Sequence, residues 1–507
     1  MAFLLSGSFL VDAIGIFVAL FAVIYTSFKW SYGYWKRKNL QYMEPTFPFG
    51  NLESVFKKDR LSFVDRAKKY YEFGKKNNLK HFGIYFLKNP VYFVRDLEYI
   101  KNILATDFDY WVDRGNYYNE KADPLSGHLF NLGGNRWKNI RKKLTPTFTS
   151  GKMKLMFKTI ADCGVFLEQA MDEKLKDHQA IDIKEVLGNF TTDVIGSCAF
   201  GLECNSFKED SEFRRYGKKV FQSSYSNIAK VNFASAFPGL ARMLNVKISQ
   251  QDVSDFFINV VRDTVKYRRE NNVTRKDFLQ LLIDLEKEDP DGDGNSLTLN
   301  EMAAQAFVFF VAGFETSATT MTFALFEMSL NQDVQERVRQ EVKEVLARHN
   351  GEINYDSIME MRYMEQVVRE TLRKYPPLAA LTRRCIKDYK VPDSDLVIEK
   401  GTLAFISIVG IHYDEDHFPN PEKFDPDRFS DENKHEIKPF SHLGFGGGRR
   451  ECIGERFGVM QSKVGLATLL RRYKFTLSDK TQVPLKMHPL QFITTALGDI
   501  WLNHEKI

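Results

Sequence analysis

A single cysteine in a glycine-rich loop sets the strongest constraint on this chain. Residues 445–454 read Phe445-Gly446-Gly447-Gly448-Arg449-Arg450-Glu451-Cys452-Ile453-Gly454, and an apparent helix from Ile453 to Arg471 follows. Glycines lack a Cβ, so this backbone can approach something flat and close. Arg450 and the start of the following helix both favour an anion, which places Cys452 to be a thiolate. A thiolate on such a turn is a ligand or a nucleophile. The competing reading is an inert buried cysteine beside an ordinary turn.

Phe445, Gly448, Arg450, Cys452 and Gly454 stand at the spacing F-x-x-G-x-R-x-C-x-G. That pattern resembles the haem-binding signature of the cytochrome P-450 family, in which the cysteine thiolate is the axial iron ligand. The resemblance implies that Cys452 is the metal ligand and that the other four residues build the haem-binding loop. Gly444 and Arg449 depart from it, standing where many relatives carry proline, and neither position supplies a ligand.

Upstream, Thr298 and Glu301 form a capping box that opens a helix predicted from about Leu299 to Leu330. Inside it lies Ala312-Gly313-Phe314-Glu315-Thr316-Ser317, after the apolar run 306–311. A mid-helix glycine costs about 1 kcal/mol relative to alanine. Packing against another helix would explain Gly313, but not an acid and an alcohol beside it. The match is to the family motif A-G-x-[DE]-T-[TS]. It implies that Ala312 and Gly313 border the haem, that Gly313 opens a groove over the iron, and that Thr316 and Glu315 pass protons as general acid-base groups.

Three further patterns follow the family. Glu370 and Arg373 share a helix face and match E-x-x-R; with Arg428, in Phe424-Asp425-Pro426-Asp427-Arg428-Phe429, they would form a buried structural triad. Read by themselves, Glu370 and Arg373 are an ordinary surface pair. Trp137 and Arg141 are four apart and share one face. They match W-x-x-x-R, which implies contact with the haem propionates; the bland alternative is an arginine lying over an indole. Arg383 sits where relatives place another propionate-binding arginine, with Arg384 as the competing choice. Lys138, Lys142 and Lys143 could form part of a docking face for an electron donor, although such clusters are commonly just solvated.

The N-terminus differs in kind. Asp12 is the only charge before Lys29, and about 20 apolar residues span a bilayer. Lys29, Lys36, Arg37 and Lys38, with Trp30, Tyr32, Tyr34 and Trp35 among them, form a basic and aromatic flank that places that side in the cytoplasm. We expect an uncleaved anchor over 1–28; a cleaved signal peptide is the alternative. Residues 29–50 are expected to be a flank and a proline-rich hinge, and 51–507 a single catalytic domain, mainly α with a minor β-sheet region. Runs such as 91–94 and 396–398 supply strands. Five irregularly spaced cysteines argue against a disulfide framework. A net charge of +5 over 507 residues gives no reason to propose nucleic acid. The segment Asp289–Gly294 begins like a calcium loop, but its twelfth position is Asn300 where a bidentate Glu is required, so it reads as an acidic turn.

Together the motifs resemble the microsomal type, and most of all the insect family-six members, which oxidise plant toxins and insecticides. The resemblance implies an endoplasmic-reticulum haem monooxygenase that uses NADPH and dioxygen. Its electrons would come from NADPH-cytochrome P-450 reductase, with cytochrome b5 as a second donor, since no nucleotide-binding glycine loop is present here. The substrate cavity is expected to be lined by the 113–129 loop and by Phe309, Phe310, Leu378, Leu381, Phe492 and Ile493; each could equally be plain core. Rival readings are oxidation of an endogenous hormone, lipid or pheromone, a reductase-independent rearrangement of peroxides, and a haem-binding membrane protein without chemistry.

Overall fold

The computed structural model describes residues 9–54, 57, 59–176, 179–208, 211–222, 224–287 and 297–507. The acidic turn at 289–294 lies outside them. Helices dominate, and three small sheets sit at the margins of the helical body.

The N-terminal helix α1 (Phe9–Tyr32) is apolar all round, and the most apolar 18-residue stretch of its candidate membrane span, Leu10–Tyr32, has no residue buried within the protein. A soluble helix would hide one face, so this one is fitted to an apolar surrounding. Its C-terminal end is docked onto the body. The ring of Phe47, from the proline-rich segment, lies edge-on to Tyr25 at 5.2 Å and to Phe28 at 5.3 Å. The Tyr32 hydroxyl accepts from the Gly50 amide at 3.1 Å, and the buried Trp35 indole donates to the Ile84 carbonyl at 3.1 Å. The segment expected to be a hinge is therefore packed against the helix that it follows.

Beside this dock lies a four-stranded sheet of β1 (His81–Phe86), β2 (Asn89–Val94), β3 (Ala380–Arg384) and β4 (Leu403–Ser407), in the order β1-β2-β4-β3. β2 and β4 run parallel, whereas β1–β2 and β3–β4 are antiparallel. In β3, Arg383 pairs with Ala404 and Arg384 with Leu403, so alternation sends the two arginines to opposite faces.

The helical half is threaded by one long helix. Ahead of it come α2 (Gly134–Leu144) and α3 (Ile183–Ile195); α4 itself spans Leu299–Leu330. The predicted capping box is present: the Thr298 hydroxyl accepts from the Glu301 amide at 3.2 Å, and Glu301 Oε2 from the Thr298 amide at 3.0 Å. At 1.5 Å per residue, the 32-residue helix is about 48 Å long. Helices α5 (Arg362–Lys374) and α6 (Glu455–Leu470) pack against it. Their contacts bring the cysteine loop, the middle of α4, β3 and α2 into one region.

Candidate functional site

The cysteine loop is a closed, hydrogen-bonded turn. The Cys452 amide donates to the Phe445 carbonyl at 2.9 Å, and the Gly446 amide to the Leu443 carbonyl at 2.8 Å. Gly448 adopts φ +69°, and a Cβ built there would stand 1.9 Å from the Leu104 carbonyl oxygen. Only glycine fits that position. Gly454 is the N-cap of α6 and has room for a side chain, the nearest atom to a built Cβ being 3.6 Å away on Phe148. Phe445 packs toward α6, 3.8 Å from where a Gly458 Cβ would stand.

Cys452 is exposed, yet burial is the first cause that pushes its thiol pKa up. The two observations agree only if the thiol faces an opening inside the protein. A matching opening interrupts α4. That helix is buried almost throughout, but Ala312 at its middle is exposed and Val308, Val311 and Thr316 are partly so. Steps of three and four put these residues on one face. The Gly454 amide, Arg114 and Arg141 pull the Cys452 pKa down, while Glu455 adds to the rise. Arg450 is not among the leading influences on the thiol, although its place in the sequence suggested that it would be. Its guanidinium turns instead over the Trp137 ring, 4.2 Å from the centroid, and donates to the Leu132 carbonyl at 2.5 Å. Metal coordination deprotonates a thiol outright, so burial does not disqualify Cys452 as a ligand.

Around the loop the structure gathers buried positive charge without matching negative charge. Arg383 and Arg450 are 1% and 2% exposed. Arg114 Nε, Arg383 Nε and both Nε and Nη1 of Arg450 have no hydrogen-bond partner among the described residues. Burial, then Arg114, pushes Arg450 down to about 9, and burial pushes Arg114 down to about 10. Arg383 is held well below the usual guanidinium range by burial and then by Arg114 and Arg450. Asp113, the acid opposing Arg450, already accepts from the Gly134 amide at 2.7 Å. An arginine does not give up its proton in a protein, so such a cluster calls for an anionic partner. The two propionates of a haem fit that demand. Arg141 adds a charge nearby and donates to the Glu451 carbonyl at 2.9 Å. Arg384 points elsewhere, to the Gly115 and Gly401 carbonyls. Sequence reasoning missed Arg114; its only local signal was a basic residue opening the 113–129 loop.

The acid and alcohol of α4 have separate partners. Glu315 is buried, with Oε1 2.8 Å from Lys184 Nζ on the first turn of α3. Thr316 Oγ1 donates to the Ala312 carbonyl one turn back. Gly313 behaves differently from the expectation: a Cβ there would lie 2.6 Å from Ile195 Cδ1. Close packing of α4 on α3 accounts for this glycine.

The E-x-x-R pair is no surface pair. Arg373 clasps Glu370 through Nε and Nη2 at 2.7 and 2.8 Å with both side chains fully buried, and Arg428 Nε lies 3.5 Å from Glu370 Oε1. The expected triad is assembled.

Several residues expected in a cavity lie elsewhere. Phe310 is fully buried in an aromatic core with Phe257 at 4.9 Å and Phe314 at 5.6 Å, and Phe309 is buried edge-on to Phe148 and tilted against Phe278. Phe492 is 56% exposed and stacks on Phe63, whereas its neighbour Ile493 is buried and pairs with Leu378. Adjacent residues of an extended chain face opposite ways, which separates the two. Leu381 is buried beside the loop, 4.0 Å from a Cβ built on Gly446. On α2, Trp137 is buried, while Lys138 and Lys142 are exposed; Lys138 pairs with Asp109 at 3.2 Å.

Comparison with known proteins accounts for this arrangement. The cytochrome P450 family model matches residues 45–502. The chain is 42% identical to cytochrome P450 6A1 of Musca domestica over 508 residues, covering 99% of this chain and 98% of the relative. It is 43% identical to probable cytochrome P450 6a14 of Drosophila melanogaster over 490 residues, 94% and 96% of the two chains. It is 44% identical to probable cytochrome P450 6a13 of the same organism over 485 residues, 95% and 96%. A thiol open to the interior, a ring of unmatched guanidiniums and near full-length similarity to these relatives have one explanation: the chain belongs to the cytochrome P450 family, whose members bind haem and act as monooxygenases.

Proposed function

We propose that this monooxygenase oxidises lipophilic foreign compounds, plant toxins and insecticides among them, with electrons passed from NADPH by a separate membrane reductase. The observation that carries the substrate class is the open face of α4. It offers Val308, Val311 and Ala312 to whatever lies beside it, with the Thr316 hydroxyl as its one polar group. Such a wall selects by apolar contact and shape.

In this reading Cys452 holds the iron, and Arg114, Arg141, Arg383, Arg450 and Trp137 hold the propionates. The bound haem supplies oxygen activation, to which a thiolate ligand contributes electron density. Thr316 would release its bond to the Ala312 carbonyl when its hydroxyl hands on a proton, and Glu315, a carboxylate paired with Lys184, would take up a proton from the solvent side and pass it inward to replace the one handed on. The valines and alanine of α4 keep water from the reacting carbon. Residues 1–28 anchor the chain in the endoplasmic reticulum, 29–50 form the flank and docked segment, and 51–507 the catalytic domain on the cytoplasmic side. Exposed Lys138 and Lys142 on α2 suit the docking of an acidic electron donor, the reductase or cytochrome b5.

The test is product formation in membranes reconstituted with the reductase, over a panel of plant toxins and insecticides. Oxygenated products that need both NADPH and the reductase are expected. Turnover restricted to an endogenous hormone, lipid or pheromone would overturn the foreign-compound reading. Consumption of peroxides without NADPH would overturn the reductase-dependent one.

A further inference from the structure

We propose that His412 is a positioning residue that ties the buried Glu370–Arg373 pair to the cysteine loop, through a hydrogen bond from the Leu443 amide to its imidazole. His412 ends the short helix Ile408–His412 and is fully buried. Its Nδ1 lies 2.8 Å from the Arg373 carbonyl, and its Nε2 2.8 Å from the Leu443 amide. A carbonyl only accepts and an amide only donates. The proton therefore sits on Nδ1, Nε2 is bare, and the ring is neutral. Arg373 answers from the other side, with Nη1 donating to the His412 carbonyl at 2.9 Å. The residue that clasps Glu370 thus holds His412 at two points.

Leu443 is where the loop begins. Its amide goes to His412 and its carbonyl accepts from Gly446, while the Phe445 carbonyl accepts from Cys452. The chain of contacts runs Glu370, Arg373, His412, Leu443, Gly446, with Cys452 bonded to Phe445 between the last two. His442 reinforces it: its ring stacks on His412 at 5.3 Å and 12°, and its Nε2 lies 3.2 Å from the Arg369 carbonyl. Burial first, then His442 and Arg373, hold His412 well below the usual imidazole range. The step from His412 to Leu443 therefore depends on a neutral ring with one donor and one acceptor. A buried triad at a distance from the cysteine acquires a path by which it fixes the loop.

Two variants separate this role from simple packing. His412→Asn places an amide nitrogen near Nδ1, keeping the bond to Arg373 and losing the acceptor for Leu443. His412→Gln reaches the Nε2 position and keeps that acceptor. The probe is amide hydrogen exchange of the peptide covering 440–452 in the full-length haem protein, with the carbon-monoxide spectrum of the reduced protein as a second readout. His412→Asn is expected to speed exchange at the start of the loop about tenfold or more, since a buried donor loses its partner, and to convert part of the spectrum from the thiolate type. His412→Gln is expected to restore both. Equal behaviour of the two variants would reduce His412 to packing and overturn the proposal. So would fast exchange at Leu443 in the unsubstituted protein, a measurement that needs no variant. The spectral arm rests on Cys452 being the ligand; the exchange arm does not, so failure of one reading is distinguishable from failure of the other.

Discussion

Lys184 and Glu315 meet at 2.8 Å, a lysine from the first turn of α3 and an acid from the middle of α4. The carboxylate is mostly hidden and the ammonium one-third exposed, so the pair connects the interior of α4 with the outside. Lys184→Met is expected to strand the acid without its counter-charge. Product formation should fall with little change in substrate affinity, and the fraction of NADPH diverted to peroxide should rise. Titration of substrate-induced spectra beside peroxide yield checks this; unchanged coupling would show that Glu315 works without Lys184.

Thr316 is the hydroxyl on the open face of α4. Thr316→Ala should leave haem content intact and lower product formation by about 10²-fold, with reducing equivalents appearing as peroxide. Parallel measurement of NADPH consumption, product and peroxide decides it, and full coupling in the variant would remove Thr316 from proton handling.

Cys452→Ala should abolish the thiolate-type carbon-monoxide spectrum, whatever haem remains bound. Its persistence would place the ligand elsewhere.

Gly448 tolerates no side chain, because its φ is +69° and the Leu104 carbonyl oxygen occupies the Cβ position. Gly448→Ala should destabilise the loop by about 2 kcal/mol or more and release haem at lower urea than the unsubstituted protein. Gly454→Ala, with a free position for its Cβ, should cost clearly less. Comparing urea midpoints followed by the haem band tests the difference.

Acid should weaken the fold before carboxylates titrate. Burial pushes His442 and His81 each down to about 4 from an ordinary 6.5. The unfolded chain takes up these protons as the pH falls through about 6.5, while the folded chain does not until about 4. The stability is thus complete above about 6.5 and declines as the pH falls toward 4, by at most about 3 kcal/mol for each group. His442→Gln should flatten that decline. Urea midpoints measured from neutral pH downward would show an unchanged slope if His442 were charged in the folded state.

The parts of the fold written in local chemistry were legible early. The start of α4 follows from Thr298 and Glu301, three residues apart, and it stands where the capping box put it. The Glu370–Arg373–Arg428 triad was anticipated by family resemblance and appears as contacts, and Arg383 and Arg450 lie near enough for the charge of one to act on the other. Phe310 and Gly313 were harder. A helix apolar on every side gives no period to separate the face toward a cavity from the face toward core, because both are apolar. Phe310 fell to an aromatic core and Gly313 to packing against Ile195. Arg114, Lys184 and His412 escaped for another reason: their partners lie far away in the chain, with a separation of 336 positions from Arg114 to the Arg450 carbonyl that it reaches.

By itself, then, the sequence determined what short-range physics can encode: an apolar helix long enough to cross a membrane, a capped helix carrying an acid and an alcohol, and a cysteine on a glycine-rich turn. Tertiary structure alone decided which charges act on that cysteine. Arg450 is two residues away in sequence but turned toward Trp137, while Arg114 and Arg141, hundreds of residues distant, pull its pKa down. Electrostatic influence depends on distance and burial in space, and neither is a property of position along the chain.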